Sequence, residues 1–450
     1  MKMRMIPAVA GLLFAWAAFA GLPATAGEVS DAQKTTDEQN KKIEDLLKRI
    51  KALEDAKRTE PTQPTPPKEG KLFTVVSTVP VQFYGLIKLD SAYDSSRVST
   101  GNYARWVEPQ RDNEGDDEFN MTANATRLGF KVGSPEGTGA MKPSGLVEVD
   151  FYGNGAAENK PDIMMRHAYL KLDWPDYDFS ALAGQTSDVI SPLNPSTLNY
   201  TVMWWQGNIG YRRPQLRLTK GFDLEAGPLQ RVEFQAAATR DIGRRTGFDP
   251  GDSGEDSGLP GLQWRGALSL SLLTKKPTVL GVWGHWAREE YDTDAQGHGQ
   301  DFDSGSTGVD LTLPLTPWLA IQAEAWEGQD LDAYLGGIGQ GINTTDMRAI
   351  RSVGGWAAAT VTPFPSAGPE APGAFLRRFA FNLGAGVDDP DNNDLTPSDR
   401  LRNLTYFANA IYDLGSGASV GLEYARLETQ YRDQNDSTAN RVQLSVMYKF

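Results

Sequence analysis

The 450-residue chain contains no cysteine. This absence excludes disulfide scaffolds, thiol catalysis, cysteine-ligated zinc and iron–sulfur clusters. Basic residues are in the minority, with 44 Lys and Arg against 58 Asp and Glu and a net charge of −14, which argues against a protein that binds nucleic acid by neutralising phosphates. Apart from one run near residue 1, no uncharged apolar stretch reaches the length of a membrane-spanning helix. Any other membrane-embedded part must therefore consist of strands.

The first 26 residues have the pattern of a secretory signal peptide. Two basic residues precede the apolar run 5–22, and the small residues Ala-Thr-Ala at 24–26 offer a cleavage site. We expect cleavage after Ala26, which leaves a mature charge of about −16 because the segment carries two positive charges. The alternative is an uncleaved anchor, which one proline and two glycines within the run disfavour.

Residues 27–60 predict a short coiled-coil arm. Ile43, Leu46, Ile50 and Leu53 follow heptad spacing, with charged residues between them. Ile at a and Leu at d favour a two-stranded coil, and the alternative is a lone solvated helix, since so short a segment is marginal without a partner. Four prolines within the linker 61–78 end the helix and predict a stiff, extended spacer.

Residues 79–450 are dominated by a period of two, which is the pattern of strands. Val81, Phe83, Ile87 and Leu89 alternate with polar residues, and about sixteen segments repeat this pattern. Glycine is abundant and the mean hydropathy is −0.44, which fits many short strands and turns. Alternation alone does not distinguish a soluble sandwich from a membrane barrel.

The connection lengths favour a barrel. Tight links mostly alternate with long polar ones, which run over 96–117, 188–213, 240–263, 291–303, 329–347 and 389–402. Short turns on one rim and long loops on the other are typical of an outer-membrane barrel. We therefore predict an all-β fold, a transmembrane antiparallel β-barrel of about 16 strands with a water-filled lumen, preceded by the periplasmic coiled-coil helix.

The last strand carries the most specific signal. Val442, Leu444, Val446 and Tyr448 share one face with the terminal Phe450, and this pattern resembles the barrel insertion signal of outer-membrane proteins. Aromatic residues near predicted strand ends fit a girdle at the membrane interface; they are Trp174, Tyr177, Trp318, Tyr412 and Tyr448.

Several stretches of the first half resemble the Gram-negative general porins and, more narrowly, the DcaP-like trimeric porin family. The stretches are Tyr84-Gly-Leu-Ile-Lys-Leu-Asp90, Arg127-Leu-Gly-Phe-Lys131, Glu148-Val-Asp-Phe151, Arg166-His-Ala-Tyr169, Ala183-Gly-Gln-Thr186 and Arg213-Pro-Gln-Leu-Arg217. The resemblance implies a sixteen-stranded trimer in the cell outer membrane that passes small anionic solutes, dicarboxylates among them. The arm departs from this expectation of a trimer, because its heptad pattern favours dimers.

Segment 188–213, rich in proline and tryptophan, predicts a loop folded into the lumen and narrowing it. Cationic side chains on or near the wall would draw anions through such a constriction. The predicted pore residues are Arg127, Lys131, Arg212, Arg213, Arg217 and Arg265. The alternative is that these charges only solvate the wall, paired with Glu148, Asp150 or Glu233.

The primary functional hypothesis is a diffusion porin for small hydrophilic, anionic solutes, whose partners are further copies of the chain and membrane lipid. A second hypothesis is a structural anchor whose arm tethers peptidoglycan or a periplasmic partner. A third is an outer-membrane hydrolase, but His167, His285 and His298 stand in no catalytic motif, so we expect no enzyme and no cofactor. We interpret the acidic runs 112–118, 249–256 and 388–394 as solvated loops rather than calcium sites.

Overall fold

The protein is described here by a computed structural model that covers residue 48 and residues 79–109, 116–133, 140–153, 161–241, 252–254, 257–292, 299–363 and 373–450. The predicted signal peptide, linker and arm lie outside the described residues, except for Lys48, which is helical. Among the described residues, no helix is both long and apolar enough to cross a membrane. The description that follows concerns the compact unit Ser77–Phe450.

The described chain forms twenty strand segments. They are β1 Val81–Asp94, β2 Glu118–Thr122, β3 Arg127–Gly133, β4 Lys142–Asp150, β5 Met164–Trp174, β6 Phe179–Ser187, β7 Arg212–Ala226, β8 Leu229–Thr239, β9 Asp252–Ser253, β10 Gly261–Leu270, β11 Thr278–Asp292, β12 Gly299–Thr316, β13 Leu319–Gln329, β14 Ile342–Asn343, β15 Arg348–Ala349, β16 Arg351–Val361, β17 Phe379–Pro390, β18 Arg400–Gly415, β19 Ala418–Tyr431 and β20 Ser437–Lys449. The short 3-10 helices are Pro175–Tyr177, Asp332–Tyr334, Gly337–Gly339 and Ala374–Arg378.

These segments build a closed antiparallel barrel of sixteen strands. β2 and β3 follow each other along β1 and count as one strand. β9 and β10 likewise share β11 as their neighbour, and β14 with β15 forms a separate small hairpin. The predicted all-β barrel of about sixteen strands is therefore confirmed.

The barrel closes where the first strand pairs with the last. β1 and β20 are in register from Leu86 opposite Lys449 to Asp94 opposite Arg441. Beyond β20, the backbones of Phe450 and Gly85 exchange two hydrogen bonds of 3.0 and 3.1 Å. The Phe450 ring lies over Gly85, where an added Cβ would be only 2.4 Å from Cζ, so a glycine is required at this point of the seam.

The two rims carry connections of different length. On the turn rim the shortest links are 227–228, 317–318 and 416–417, and the two longer ones predicted near 133–144 and 363–374 lie there as well. On the loop rim the connections are 95–117, 151–163, 188–211, 240–260, 293–298, 330–350, 391–399 and 432–436. The sorting predicted from the sequence is therefore present in most connections, with 293–298 and 432–436 as short exceptions on the loop rim and 362–378 as a long one on the turn rim.

The outer face of the barrel is apolar. Side chains such as Phe83, Ile87, Leu216 and Leu444 point away from the lumen and are about half exposed on the isolated chain, whereas their strand neighbours point inward. The aromatic residues predicted for a girdle all lie near strand ends at the turn rim; they are Trp174, Tyr177, Trp318, Tyr412 and Tyr448. Such an apolar belt edged by aromatic residues matches the hydrocarbon core and interface of a bilayer.

Candidate functional site in the barrel lumen

Residues 188–211, here called the inner loop, leave β6 at the loop rim and turn into the lumen. Glu324 of β13 accepts hydrogen bonds from Ser191 Oγ (2.6 Å) and Leu193 N (2.9 Å). Glu423 of β19 accepts a hydrogen bond of 2.6 Å from Leu198 N. Because these acceptors face inward on strands far from β6, the loop crosses the lumen and packs against the opposite wall, as its composition predicts.

The inner loop is held rigidly. Met203 packs with Trp356 and Phe407 of the wall, and Trp326 Nε1 donates a 2.7 Å hydrogen bond to the carbonyl of Gly207. The backbone of Val202 has φ +44°, a conformation that a β-branched residue rarely adopts and that costs about 1–3 kcal/mol. Strain of this kind persists only where surrounding contacts over-determine the backbone, and the contacts of Met203 and Gly207 with the wall provide them.

The space between the inner loop and the wall formed by β3 to β10 is here called the passage. It contains a cavity of about 410 Å³ that is bordered by the loop on one side and by arginines on the other. The arginines that line it are Arg127, Arg166, Arg212, Arg217 and Arg265. Asp188 is the one carboxylate among the described residues that border this cavity.

Two of the lining arginines are neutralised by carboxylates of neighbouring strands. Arg166 donates to Glu148 (2.7 Å) and Asp150 (2.8 Å). Arg265 donates to both carboxylate oxygens of Asp310, at 2.8 and 2.7 Å. At these two positions the arginines are paired wall charges, which is the alternative to a free pore charge.

The other three arginines have no such partner. Within the described parts of the chain, no carboxylate oxygen lies within 4 Å of the guanidinium groups of Arg127, Arg212 or Arg217. Arg217 Nε donates to Gln215 Oε1 (2.9 Å), and its terminal nitrogen donates to the carbonyl of Ser187. In this respect the three arginines differ from Arg166 and Arg265, which are in ion pairs.

Aromatic rings hold Arg212 in place. Its guanidinium lies 4.8 Å from the Tyr211 ring centroid and 5.7 Å from that of Trp204. Tyr200 Oη, which is 3.5 Å from this guanidinium, donates a 2.6 Å hydrogen bond to Asp150. Burial raises the pKa of Tyr200 to about 12, so the hydroxyl stays protonated at neutral pH and adds no negative charge to the passage.

Two predicted pore residues lie elsewhere. Arg213 is fully buried behind the passage, where it forms an ion pair with Asp188 at 2.8 Å and donates a 2.8 Å hydrogen bond to Asp241. Its guanidinium lies 3.7 Å from the Tyr334 ring centroid. Lys131 lines a separate cavity of about 820 Å³ on the side of the turn rim. The structure therefore brings together Arg127, Arg212, Arg217 and Arg265 and leaves these two apart.

Part of the chain matches a known family. The family described as DcaP outer membrane protein matches residues 48–224, a span that includes β1 to β6, the whole inner loop and β7 as far as residue 224. This first half of the chain therefore resembles the DcaP outer membrane protein family. Arg127, Arg212 and Arg217 lie inside the matched span, whereas Arg265 lies outside it.

Solved porin structures share the barrel. The outer membrane channel DcaP of Acinetobacter baumannii superposes with a TM-score of 0.65 at 19% identity, covering 84% of this chain and 99% of that chain. OprB of Pseudomonas putida superposes with a TM-score of 0.52 at 9% identity, covering 82% of this chain and 94% of that chain. An anion-selective porin from Comamonas acidovorans superposes with a TM-score of 0.50 at 11% identity, covering 83% of this chain and 100% of that chain. No curated protein sequence matches this chain.

The family match of the first half and the barrel fold point to a channel rather than to an enzyme. His167 of the porin lies in the wall, with Nδ1 3.0 Å from Thr186 Oγ1. His285 is buried, and its ring stacks on that of Tyr334 with the ring centroids 3.9 Å apart. Its Nδ1 is within hydrogen-bond distance of Ser306 Oγ, at 2.6 Å. His298 lies outside the described residues.

The acidic run 388–394 is a solvated loop only in part, because Asn392 and Asn393 are exposed whereas Asp388 and Asp394 are buried. Asp388 is buried and accepts hydrogen bonds from Ser352 Oγ (2.7 Å) and Ile338 N (3.2 Å). Asp394 is buried too and pairs with Arg351 at 2.7 Å. Most of the other two acidic runs lies outside the described residues. The described acids at this point of the loop rim are thus engaged within the porin.

Sequence reasoning missed Arg166 and Tyr200 as lining residues. Arg166 begins one of the stretches that resemble the family, and its place on the polar face of β5 could have revealed it. Tyr200 carries no local signal, because its position depends on how the inner loop folds. Its contacts with Asp150 and Arg166 are made across 50 and 34 residues of sequence.

Proposed function

We propose that the porin passes small hydrophilic anions and favours carboxylates, dicarboxylates among them. The observation that carries this proposal is the set of three guanidinium groups, of Arg127, Arg212 and Arg217, that line the passage without a carboxylate partner among the described residues. A narrow passage with low-dielectric walls concentrates such a field and raises the local concentration of anions. Guanidinium also bonds carboxylates in bidentate geometry, which favours them over spherical anions.

The net charge of the chain does not oppose this selectivity. The total is −14, but several acids close to the passage are already compensated, as with Asp188 by Arg213 and Asp310 by Arg265. A permeating ion responds mainly to charges within about a Debye length, roughly 10 Å at 0.1 M salt. The three arginines without an ion pair are offset in part by the second carboxylate beside Arg166, and the positive charge that remains lies closer to a permeating ion than the distant acids do.

We also propose that the porin is a homo-oligomer, most simply a trimer. The OmpT porin of Vibrio cholerae, similar to this chain with a TM-score of 0.50 at 11% identity, is described in a trimer form. The apolar outer face of the barrel offers surface for both subunits and lipid. Since β1 begins at the turn rim, the chain enters the barrel on that side, and this supports an arm in the periplasm, where short turns of such barrels lie.

Conductance in planar bilayers tests the proposed channel. The unmodified porin is expected to conduct and, in a KCl gradient, to show a reversal potential that favours chloride over potassium. Succinate is expected to reduce the chloride current more strongly than succinamide, which has the same length but no charge. A folded barrel without conductance would favour the structural anchor, and a cation-selective channel would contradict the role given to the three arginines.

A further inference from the structure

The outer face of the barrel carries an apolar groove of about 660 Å³ over β5, β6, β7, β8 and β10, here called the outer groove. Leu216 and Leu218 of β7 point outward along its middle and are 65% and 53% exposed. The residues in register beside them are alanines, namely Ala183 and Ala181 on β6 and Ala238 and Ala236 on β8. The outer groove therefore consists of two furrows with alanine floors, one on each side of a leucine ridge.

Large apolar side chains form the outer walls of both furrows. Leu170 and Leu172 of β5 are in register with the alanines of β6. Leu262 and Trp264 of β10 are in register with those of β8. Adjacent strands are about 4.8 Å apart, so the two furrows, which lie two strands apart, are separated by roughly 9.6 Å. Each furrow has the shape and polarity to hold one hydrocarbon chain.

The leucine ridge ends toward the turn rim in a cation, Lys220. This residue is the next outward position of β7 after Leu218, and each neighbouring strand places a phenylalanine beside it. The Lys220 ammonium lies 4.6 Å from the Phe222 ring centroid and donates a hydrogen bond to the carbonyl of Tyr177. The side chain thus extends along the outer face toward the rim, as lysines do at a membrane boundary.

Lys220 is not part of an ion pair within the described ranges of the chain. No carboxylate oxygen of these ranges lies within 4 Å of its ammonium nitrogen. Asp178, the residue after Tyr177, accepts hydrogen bonds of 2.5 and 2.8 Å from Arg231, and both residues border the cavity inside the lumen at the turn rim. A cation that faces the membrane boundary in this way complements the negative charge of a lipid headgroup.

We infer that the outer groove binds one glycerophospholipid, with an acyl chain in each furrow and the phosphate on Lys220. The two chains of such a lipid diverge from one headgroup, and the ridge that ends in Lys220 lies between the two furrows. Phe179 and Phe234 occupy the row between the alanines and the lysine. This row adds two residues, or about 6.6 Å along the strand, which the glycerol and the first carbons of each chain bridge.

The position of Lys220 fits a lipid of the inner leaflet. The turn rim is the periplasmic side in the orientation proposed above, and the inner leaflet of an outer membrane consists of glycerophospholipids. Trp174 and Tyr177 lie at the same rim, where aromatic side chains mark the membrane interface. The site lies on the opposite face of the wall from the passage, so it is independent of anion selectivity.

Native mass spectrometry of the purified full-length porin tests the site. After removal of lipid in detergent, 1-palmitoyl-2-oleoyl-phosphatidylglycerol is expected to bind saturably, with one molecule per chain retained first. The diacylglycerol with the same two chains but no phosphate is expected to bind about fivefold more weakly, because it makes no contact with the lysine. Lysophosphatidylglycerol, which has a single chain and fills one furrow, is also expected to bind more weakly.

Two variants separate the headgroup contact from the furrows. Lys220→Gln should lower the affinity for phosphatidylglycerol about fivefold and leave that for diacylglycerol unchanged. The double variant Ala183→Leu, Ala238→Leu fills both furrows with outward side chains that a membrane face accepts, and should weaken the binding of both lipids. The matched controls are Lys276→Gln, an exposed lysine of the turn between β10 and β11, and Ala357→Leu, an exposed alanine of β16; both should bind as the unmodified porin does.

Three outcomes would overturn the site. Equal binding of phosphatidylglycerol and diacylglycerol, or unchanged binding in Lys220→Gln, would contradict the contact of the phosphate with the lysine. An equal loss in the controls would show a lipid shell without a preferred position. A changed oligomeric mass in the double alanine variant, with lipid binding intact, would show that the outer groove is an interface between copies of the chain.

Discussion

The double variant Arg127→Gln, Arg217→Gln gives the most direct test of how the passage selects ions. Both arginines line the cavity, and neither has a carboxylate within 4 Å in the described part of the chain. Their removal therefore leaves no buried acid without its partner, and the barrel is expected to fold. Glutamine keeps a polar side chain at each position and removes only the charge.

The size of the effect follows from the dimensions of the cavity. The space of about 410 Å³ that the centre of a water-sized particle can reach equals a sphere of about 4.6 Å radius. The atoms that line it lie about 3 Å farther out, so an ion at its centre is roughly 8 Å from each guanidinium. At this distance a unit charge contributes about 0.5 kcal/mol in water and about 0.2 kcal/mol at 0.1 M salt. The free energy of an anion rises and that of a cation falls by this amount, so each substitution changes the permeability ratio roughly twofold and the double variant roughly fivefold. A dielectric below that of water would increase these values.

The permeability ratio is read from the reversal potential in planar bilayers, in a KCl gradient around 0.1 M. The control is Arg426→Gln, which makes the same chemical change on β19 at an exposed position of the outer face, and its reversal potential should equal that of the unmodified porin. An unchanged ratio in the double variant, or an equal change in the control, would refute the assignment of these arginines to the constriction.

Three further predictions concern stability and assembly. Arg213→Gln is expected to destabilise the barrel by about 3–5 kcal/mol, because it leaves two buried carboxylates uncompensated, and an unchanged temperature for loss of the folded band on gels would contradict this. Gly85→Ala should lower the yield of folded barrel, since its Cβ would collide with Phe450, whereas Gly266→Ala, which meets only ordinary contacts, should fold normally. Deletion of residues 27–70 should leave the barrel oligomeric on native gels, because its own outer face supplies the interface; monomers would show that the arm drives assembly.

The barrel itself could be predicted from local patterns. Side chains alternate across a strand with a period of two, so the outward set headed by Phe83 and Ile87 is visible in the sequence without any knowledge of pairing. Connection lengths then separated the two rims, and together these features predicted sixteen strands. The two long links at the turn rim made the strand number uncertain, since nothing local marks the rim on which a loop lies.

The site was predictable in kind but not residue by residue. The composition of the inner loop and the arginines on polar strand faces indicated a cationic constriction, and Arg127, Arg212, Arg217 and Arg265 do meet at one cavity. Arg213 is the next residue after Arg212, yet it is buried with Asp188 and Asp241. No sequence pattern distinguishes the two, because their surroundings are set by elements far away in the chain.

The sequence by itself therefore determined the class of fold, since strand alternation and turn spacing are properties of neighbouring residues. Only the tertiary structure decided which charges remain free. Arg265 is neutralised by Asp310 on another strand, while Arg217 meets no carboxylate among the described residues. Whether a charge is paired depends on strand register and on the path of the inner loop, and both arise from contacts between residues distant in sequence.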